Sequence, residues 1–378
     1  MKKINIVGSI FGSDGYSSHT RQLANALYKV ADCRITTQAP PDWVKHVNDA
    51  ELDMLTKPER KDDYNLIIAM PHMWKLFTGL GKNIGYVIWE GDKVPRSWCE
   101  EFYNNKIDYI FVPSEHTKQA ILNTIIPLNE HLKKLIIDKI KVIPHGVDRN
   151  IFHSLQDAVP TLKDDIHLKS ERNRLGDTFK FICNKGWRGT SWDRGGVQYL
   201  IKAFAEEFKK DDKVKLIIKL NPAYINPEII NQALQQLNLP EDRAPIHINC
   251  DILPFEKLND LYNQADCFVC PTRCESFNLP GLEAMSCGLP TIQTSFGGQT
   301  DYMTADNSMF IDYELQDSEE IPMYEGVKWA IPKMDFLKKS LRWAFENQDK
   351  IKEMGKQAEQ DSKNFTWDNS AKKIIELL

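Results

Sequence analysis

Ala265-Asp266-Cys267-Phe268-Val269-Cys270-Pro271-Thr272-Arg273-Cys274-Glu275-Ser276-Phe277-Asn278-Leu279-Pro280-Gly281-Leu282-Glu283-Ala284-Met285-Ser286-Cys287-Gly288-Leu289-Pro290 is the stretch on which the reading of this chain turns. The apolar run from Cys267 to Val269 has the length and bulk of a buried strand, ending at Cys270-Pro271. A loop follows, and a helix begins at about Gly281. Pro280 sits near its first turn, where a missing N–H costs nothing. Strand, loop and helix in that order form one join of a parallel α/β sheet, and such joins carry ligand sites at the strand's C-terminal end. The amides of Ser276, Phe277, Asn278 and Leu279 are placed to face an anion, which gains hydrogen bonds and the positive end of the helix dipole.

Outward from this stretch, short apolar runs alternate with longer amphipathic ones. On the N-terminal side they are Ile4 to Ile10, then Ser17 to Val30; Asn65 to Met70; Ile84 to Trp89; Tyr109 to Val112, then Glu115 to Thr124; and Lys141 to Ile143. After a polar stretch from Ser154 to Asp177 a second series starts with Phe179 to Cys183, Val197 to Phe208 and Val214 to Leu220. It continues with Pro227 to Leu237, Ile246 to Ile248 and Phe255 to Gln264, and closes on Thr291 to Thr294. This alternation predicts βαβ units in two Rossmann-like halves. The expected domains are 1–165 and 166–365, with a last helix over 366–378 returning to the first. Two parallel sheets facing a central cleft would gather both sets of strand-end loops.

Bulk composition agrees with two cores: 378 residues exceed what one hydrophobic core holds, and 42% hydrophobic with 27% charged residues is ordinary for a globular protein. A net charge of -5 provides no general attraction to nucleic acid or to an anionic bilayer. No run of about 18 apolar residues occurs, so the expected place is the cytoplasm, with a membrane-surface contact as an alternative. That alternative rests on His131 to Lys139, a short basic amphipathic segment whose favoured reading is a solvated lysine face over an ordinary core. Of eight cysteines, Cys267, Cys270, Cys274 and Cys287 lie close together, yet their spacing matches no zinc knuckle and Cys267 and Cys270 read as small core residues.

The stretch 265–290 resembles the donor-binding signature of retaining GT-B glycosyltransferases, the glycosyl transferases group 1 or family 4-like enzymes. That signature has two glutamates separated by seven residues, then Ala-Met and Cys-Gly-Leu-Pro, and Glu275 and Glu283 stand at that spacing. The resemblance implies that Glu283 contacts the ribose and Glu275 the donor sugar, while Ser276 to Leu279 cradle a diphosphate. It extends to Ile143-Pro144-His145-Gly146-Val147-Asp148, an architectural motif in which Gly146 is expected to allow a special turn. It extends also to Phe365-Thr366-Trp367, before the last helix.

The same family places an arginine after the first strand of the C-terminal domain and a lysine six residues later to clamp the phosphates. Arg188 and Arg194 have that spacing, with arginine in place of lysine and an extra glycine in Gly195-Gly196. Lys185 is the alternative first cation. The loop holding Gly15 is expected to approach the donor phosphate. Glu90, within Tyr86-Val87-Ile88-Trp89-Glu90 and ahead of Pro95 to Trp98, is the candidate beside the reacting carbon; it either accepts the acceptor's proton or positions the sugar. Glu90, Arg194 and Glu275 are thus the candidate catalytic residues.

The implied activity is transfer of a hexosyl group, with retention, from a UDP- or GDP-sugar to a glycan, glycolipid or glycoprotein acceptor. No cofactor is implied, and no metal, since the chain lacks an Asp-x-Asp tripeptide. The rival readings are a non-catalytic sugar- or partner-binding subunit and another GT-B enzyme such as a nucleotide-sugar epimerase.

Overall fold

The computed structural model of the chain describes residues 1–12, 15–38, 40, 43–155, 178–190, 193–318 and 322–378. They divide into two compact units. The first holds Met1–Asp148, Asp317–Lys328 and Phe365–Leu378; the second holds Arg149–Gln316 and Trp329–Asn364. The boundary read at 165/166, most of the polar stretch before Asp177, and Ser13 and Asp14 of the N-terminal loop lie outside the described residues.

The first unit is a six-stranded sheet of β1 (Lys3–Val7), β2 (Asp32–Thr36), β3 (Tyr64–Ile67), β4 (Lys82–Tyr86), β5 (Tyr109–Val112) and β6 (Ile140–Val142). Its order is β2-β1-β3-β4-β5-β6, and every pair is parallel. Helices α1 (Gly15–Tyr28), α2 (Asp49–Thr56), α3 (Cys99–Tyr103), α4 (Glu115–Ile125) and α5 (Glu130–Lys139) connect the strands. Their caps are written locally. Ser114 accepts from the Thr117 amide at the start of α4, and Asn48 and Glu51 form a capping box on α2.

The second unit repeats the plan with β7 (Phe179–Lys185), β8 (Val214–Leu220), β9 (Ile246–Asn249), β10 (Cys267–Cys270), β11 (Thr291–Thr294) and β12 (Ser308–Ile311). The order is β12-β11-β10-β7-β8-β9, again with all pairs parallel. Helices α6 (Val197–Glu207), α7 (Pro227–Gln236), α8 (Phe255–Asn263) and α9 (Leu279–Ser286) connect these strands. On α6, Leu200, Ile201 and Phe204 are fully buried in the core with Phe181 and Leu216. Each such side chain contributes about 1.5–3 kcal/mol by leaving water. A two-stranded sheet of β13 (Tyr313–Asp317) and β14 (Lys328–Pro332) follows, then α10 (Met334–Glu346), α11 (Gln348–Ser362) and α12 (Trp367–Leu377).

Within the first unit α12 packs along α1. Val147 donates to the Phe365 carbonyl at 2.9 Å and Ser370 Oγ to the Pro144 carbonyl at 2.6 Å. Gly146 is required here for a different reason from the expected one. It does not adopt a left-handed turn; instead the backbone of Thr366 and Trp367 passes so close that a Cβ would stand 2.1 Å from the Trp367 nitrogen. His145 is buried beside His19 and Trp367, with ring centroids 4.3 and 5.5 Å away. Burial holds its imidazole down to about 3, a neutral packing group and a poor general base near pH 7.

Candidate active site

Strands β7 and β10 are neighbours, with Cys267 opposite Phe181, yet β7 leads on to β8 at one side and β10 to β11 at the other. This is the topological switch point of the second sheet, where diverging loops leave room for a ligand at the strand ends. Lys185 ends β7, and the segment after it carries Arg188 and Arg194. The loop after β10 carries Glu275 and leads into α9.

Lys185 and Glu275 meet across that point at 2.8 Å. Lys185 Nζ also donates to Asn278 Oδ1 at 2.9 Å. Loss of water favours the neutral form of each partner, but their mutual attraction wins: Glu275 stays below the usual glutamate range, with Lys185 and then Arg194 as the cations responsible, and Lys185 stays above the usual lysine range. The structure thus brings Lys185, Arg194, Glu275 and Asn278 together. Arg188 and Arg194 are both exposed; the Arg188 backbone amide donates to Asp193 at 2.6 Å, and the cations acting on Glu275 are Lys185 and Arg194.

Asp193 shapes the first loop, its carboxylate accepting from the amides of Arg188 and Gly195, both at 2.6 Å. Gly196 then starts α6 with φ +74°, and a Cβ there would lie 1.9 Å from the Pro271 carbonyl oxygen. The extra glycine in the motif is therefore needed by the approach of the two loops. Thr272 Oγ1 and the Arg273 amide both donate to the Arg194 carbonyl, at 3.0 and 2.7 Å, fastening one loop to the other.

The helix α9 starts at Leu279, two residues before the expected Gly281, with Asn278 as a left-handed cap at φ 62°. Asparagine tolerates that conformation, and its side chain is held from both ends, by Lys185 and by Gln293 Oε1 at 2.6 Å. Tyr302 adds a hydrogen bond from its hydroxyl to the Asn278 carbonyl at 2.8 Å. Leu279, as the first helical residue, has an amide with no partner inside the helix, as the anion-cradle reading requires. Ser276 and Phe277 precede it on the same turn, with the Gly298 amide donating to the Glu275 carbonyl at 2.8 Å.

Glu283 lies one turn into α9. It is only partly exposed, and its poor hydration raises its carboxyl to about 7, against smaller opposing effects of Tyr262 and Lys185. Tyr262 donates to Glu283 Oε2 at 3.0 Å and accepts from Asn184 Nδ2 at 2.9 Å. Tyr262, Asn184, Gln293 and Tyr302 were not picked out by sequence reasoning, because each reaches the site from a separate element. Arg273, in the middle of the decisive stretch, is a fully buried structural cation that donates to the Ala330 carbonyl and lies over Trp329.

In the first unit Gly15 opens α1, and a Cβ there would meet nothing within 4 Å. No protein atom of the described residues demands glycine at that position. Glu90 follows β4 and is buried, its carboxylate accepting a 2.5 Å hydrogen bond from the Tyr324 hydroxyl. Cys267, Cys270, Cys274 and Cys287 are buried, and burial raises the thiols of Cys267, Cys270 and Cys287. Among the described residues no helix is long and apolar enough to cross a membrane.

Residues 186–320 match the protein family described as Glycosyl transferases group 1. Over 410 aligned residues the chain is 22% identical to the alpha-maltose-1-phosphate synthase of Mycolicibacterium smegmatis, covering 97% of this chain and 95% of that protein. It is 28% identical over 165 residues to the mannosylfructose-phosphate synthase of Agrobacterium fabrum, covering 42% of this chain and 33% of the relative. Among solved structures, Anabaena HepE in complex with UDP and glucose superimposes with a TM-score of 0.70 at 13% identity, over 100% of this chain and 99% of that one. The sucrose-phosphate synthase of Thermosynechococcus elongatus gives 0.67 at 14% identity, over 100% and 98%.

Proposed function

We propose that this chain, which has the GT-B fold, is a group 1 glycosyltransferase that transfers a hexosyl group from a UDP- or GDP-sugar to a saccharide, lipid-linked or protein-linked acceptor, with retention and without a divalent metal. The observation that carries this reading is the cluster of Lys185, Arg194, Glu275 and Glu283 at the switch point of the second sheet. HepE, solved with UDP and glucose, supports a uridine donor.

As the bond from the anomeric carbon to the diphosphate breaks, negative charge grows on the leaving group. Fixed cations in a poorly hydrated site stabilise that charge more than the ground state. Lys185 and Arg194 serve this role, aided by the amides at the start of α9, with Arg188 as an outer contact. Glu275, ionised and anchored by Lys185, accepts from sugar hydroxyls. Glu283 accepts from the ribose. Glu90 serves the acceptor side. Retention is the outcome that the resemblance to retaining enzymes implies.

A thermal-shift and hydrolysis screen against UDP, GDP, ADP, TDP and their sugars, with and without EDTA, tests the donor site. One nucleotide should raise the melting temperature equally in both buffers, and Glu283→Ala should weaken its binding about tenfold or more, the effect of losing a charge-assisted hydrogen bond. A proton NMR record of the fresh product should show the donor's anomeric configuration kept. A melting temperature unmoved by every nucleotide would leave the non-catalytic reading standing.

A further inference from the structure

The backbone around Glu90 is pinned at three successive carbonyls. Tyr16 donates its hydroxyl to the Ile88 carbonyl at 3.0 Å, Thr117 to that of Trp89 at 2.7 Å, and His116 Nε2 lies 2.7 Å from that of Glu90. All three partners come from α1 and α4 of the first unit. With the main chain so held, the Glu90 side chain is the remaining freedom, and it meets a residue far away in sequence.

Residues 317–328 belong to the first unit although the chain on either side belongs to the second. Three features dock this segment on 89–92. Tyr324 stacks on Trp89 with centroids 5.0 Å apart and planes at 28°, Trp89 being backed in turn by Trp98. The Lys328 amide donates to Asp92 Oδ1 at 2.6 Å. Gly91 leaves room for Val327, which a Cβ at that position would approach to 2.2 Å. The stack sets the phenol so that its hydroxyl reaches Glu90 Oε1 at 2.5 Å.

We propose that Tyr324 is a positioning residue for the acceptor-side chemistry: its hydroxyl, bound to Glu90 Oε1, fixes the rotamer in which that carboxylate meets a hydroxyl-bearing substrate. This rests on the reading of Glu90 as a working residue of a transferase. The docked segment is then part of the working machinery of the first unit, not a decoration on the second.

The test compares wild type, Tyr324→Phe, Glu90→Gln and the double variant in turnover of UDP-glucose and GDP-mannose, with kcat and KM for the nucleotide sugar measured separately. Tyr324→Phe removes one oxygen and keeps the stack, so its melting temperature should stay within about 3 °C of wild type. Its kcat should fall about tenfold with KM for the nucleotide sugar unchanged, the effect of freeing a hydrogen-bonded carboxylate. The double variant should be no slower than Glu90→Gln alone, since Tyr324 acts through Glu90.

Losses that multiply in the double variant, or full activity in Tyr324→Phe beside a slow Glu90→Gln, overturn the positioning role and leave Glu90 in place. Full activity in Glu90→Gln overturns the reading of Glu90 and the inference with it. A wild type that turns over none of the nucleotide sugars of the screen above overturns the transferase reading itself.

Discussion

If Glu283 holds the donor ribose as proposed, its carboxyl, poised at about 7, ties donor binding to pH. A ribose diol donating to Glu283 favours its ionised form, so at pH 6 the group should lose a proton when nucleotide binds. Titration calorimetry in two buffers of different ionisation enthalpy should then record close to one proton released at pH 6 and few at pH 8. The stability linkage has the opposite sign from that of an ordinary paired glutamate. Because the folded pKa is raised, stability is greatest below the unfolded value near 4.5 and falls as pH rises to about 7, then stays level. Glu283→Gln should therefore be more stable than wild type at pH 8 by about 1–3 kcal/mol, and equal to it at pH 4. A buried carboxyl that costs stability in its ionised form is the kind of group that clusters at functional sites. The candidates Glu275, Glu283, Lys185 and Arg194 stand out in the sequence because their order and spacing in two short segments carry the signal. Tyr262, Tyr302 and Tyr324 do not: they stand 21, 24 and 234 residues from the groups they hold, and nothing local distinguishes them from core tyrosines.

Among the elements, the two loops at the switch point are matched to each other through backbone contact more than through side chains. Gly196 is the position where this shows. Gly196→Ala must strain a left-handed backbone and push Pro271 away, so it should destabilise the protein by at least about 2 kcal/mol and weaken nucleotide binding with it, measured by thermal melts with and without UDP. Gly15→Ala meets open space at a helix start and should leave the melting temperature of the free protein within about 2 °C; lost nucleotide affinity there would then report contact with ligand alone. The strands read most clearly from the sequence are those buried on both faces, such as Cys267–Cys270, where an unbroken apolar run is the signal. β2, at the sheet edge, alternates partly buried and buried residues with Asp32 and Arg34 facing outward, and escaped notice for that reason. β12 and β13 carry short or largely exposed patterns and escaped likewise.

For the whole molecule, alternating strands and helices made two parallel sheets legible, but the order of strands within each was not, since periodicity says which face is buried and not which neighbour is paired. Nor did the sequence reveal that 317–328 leaves the second unit for the first; only the contacts of Tyr324, Val327 and Lys328 do so. Met1–Asp148 is consequently incomplete by itself. It lacks Trp367, which stacks on the buried His19 at 5.4 Å, the Ile375 carbonyl that takes Lys2, and the Tyr324 side of Trp89. Expressed alone, residues 1–148 should melt at least about 10 °C below the full chain or fail to give a cooperative melt by circular dichroism; a fragment as stable as the full protein would contradict this account.

The four passages of the chain between units also set a timetable for its birth on the ribosome. Phe365–Leu378 is made after every residue of the second unit, so the second sheet can be finished while the first still waits for its closing helix. At ordinary elongation rates the nascent first sheet keeps the aromatic face around His19 and His145 open for about 10 to 50 s, an interval in which chaperones or aggregation compete for it.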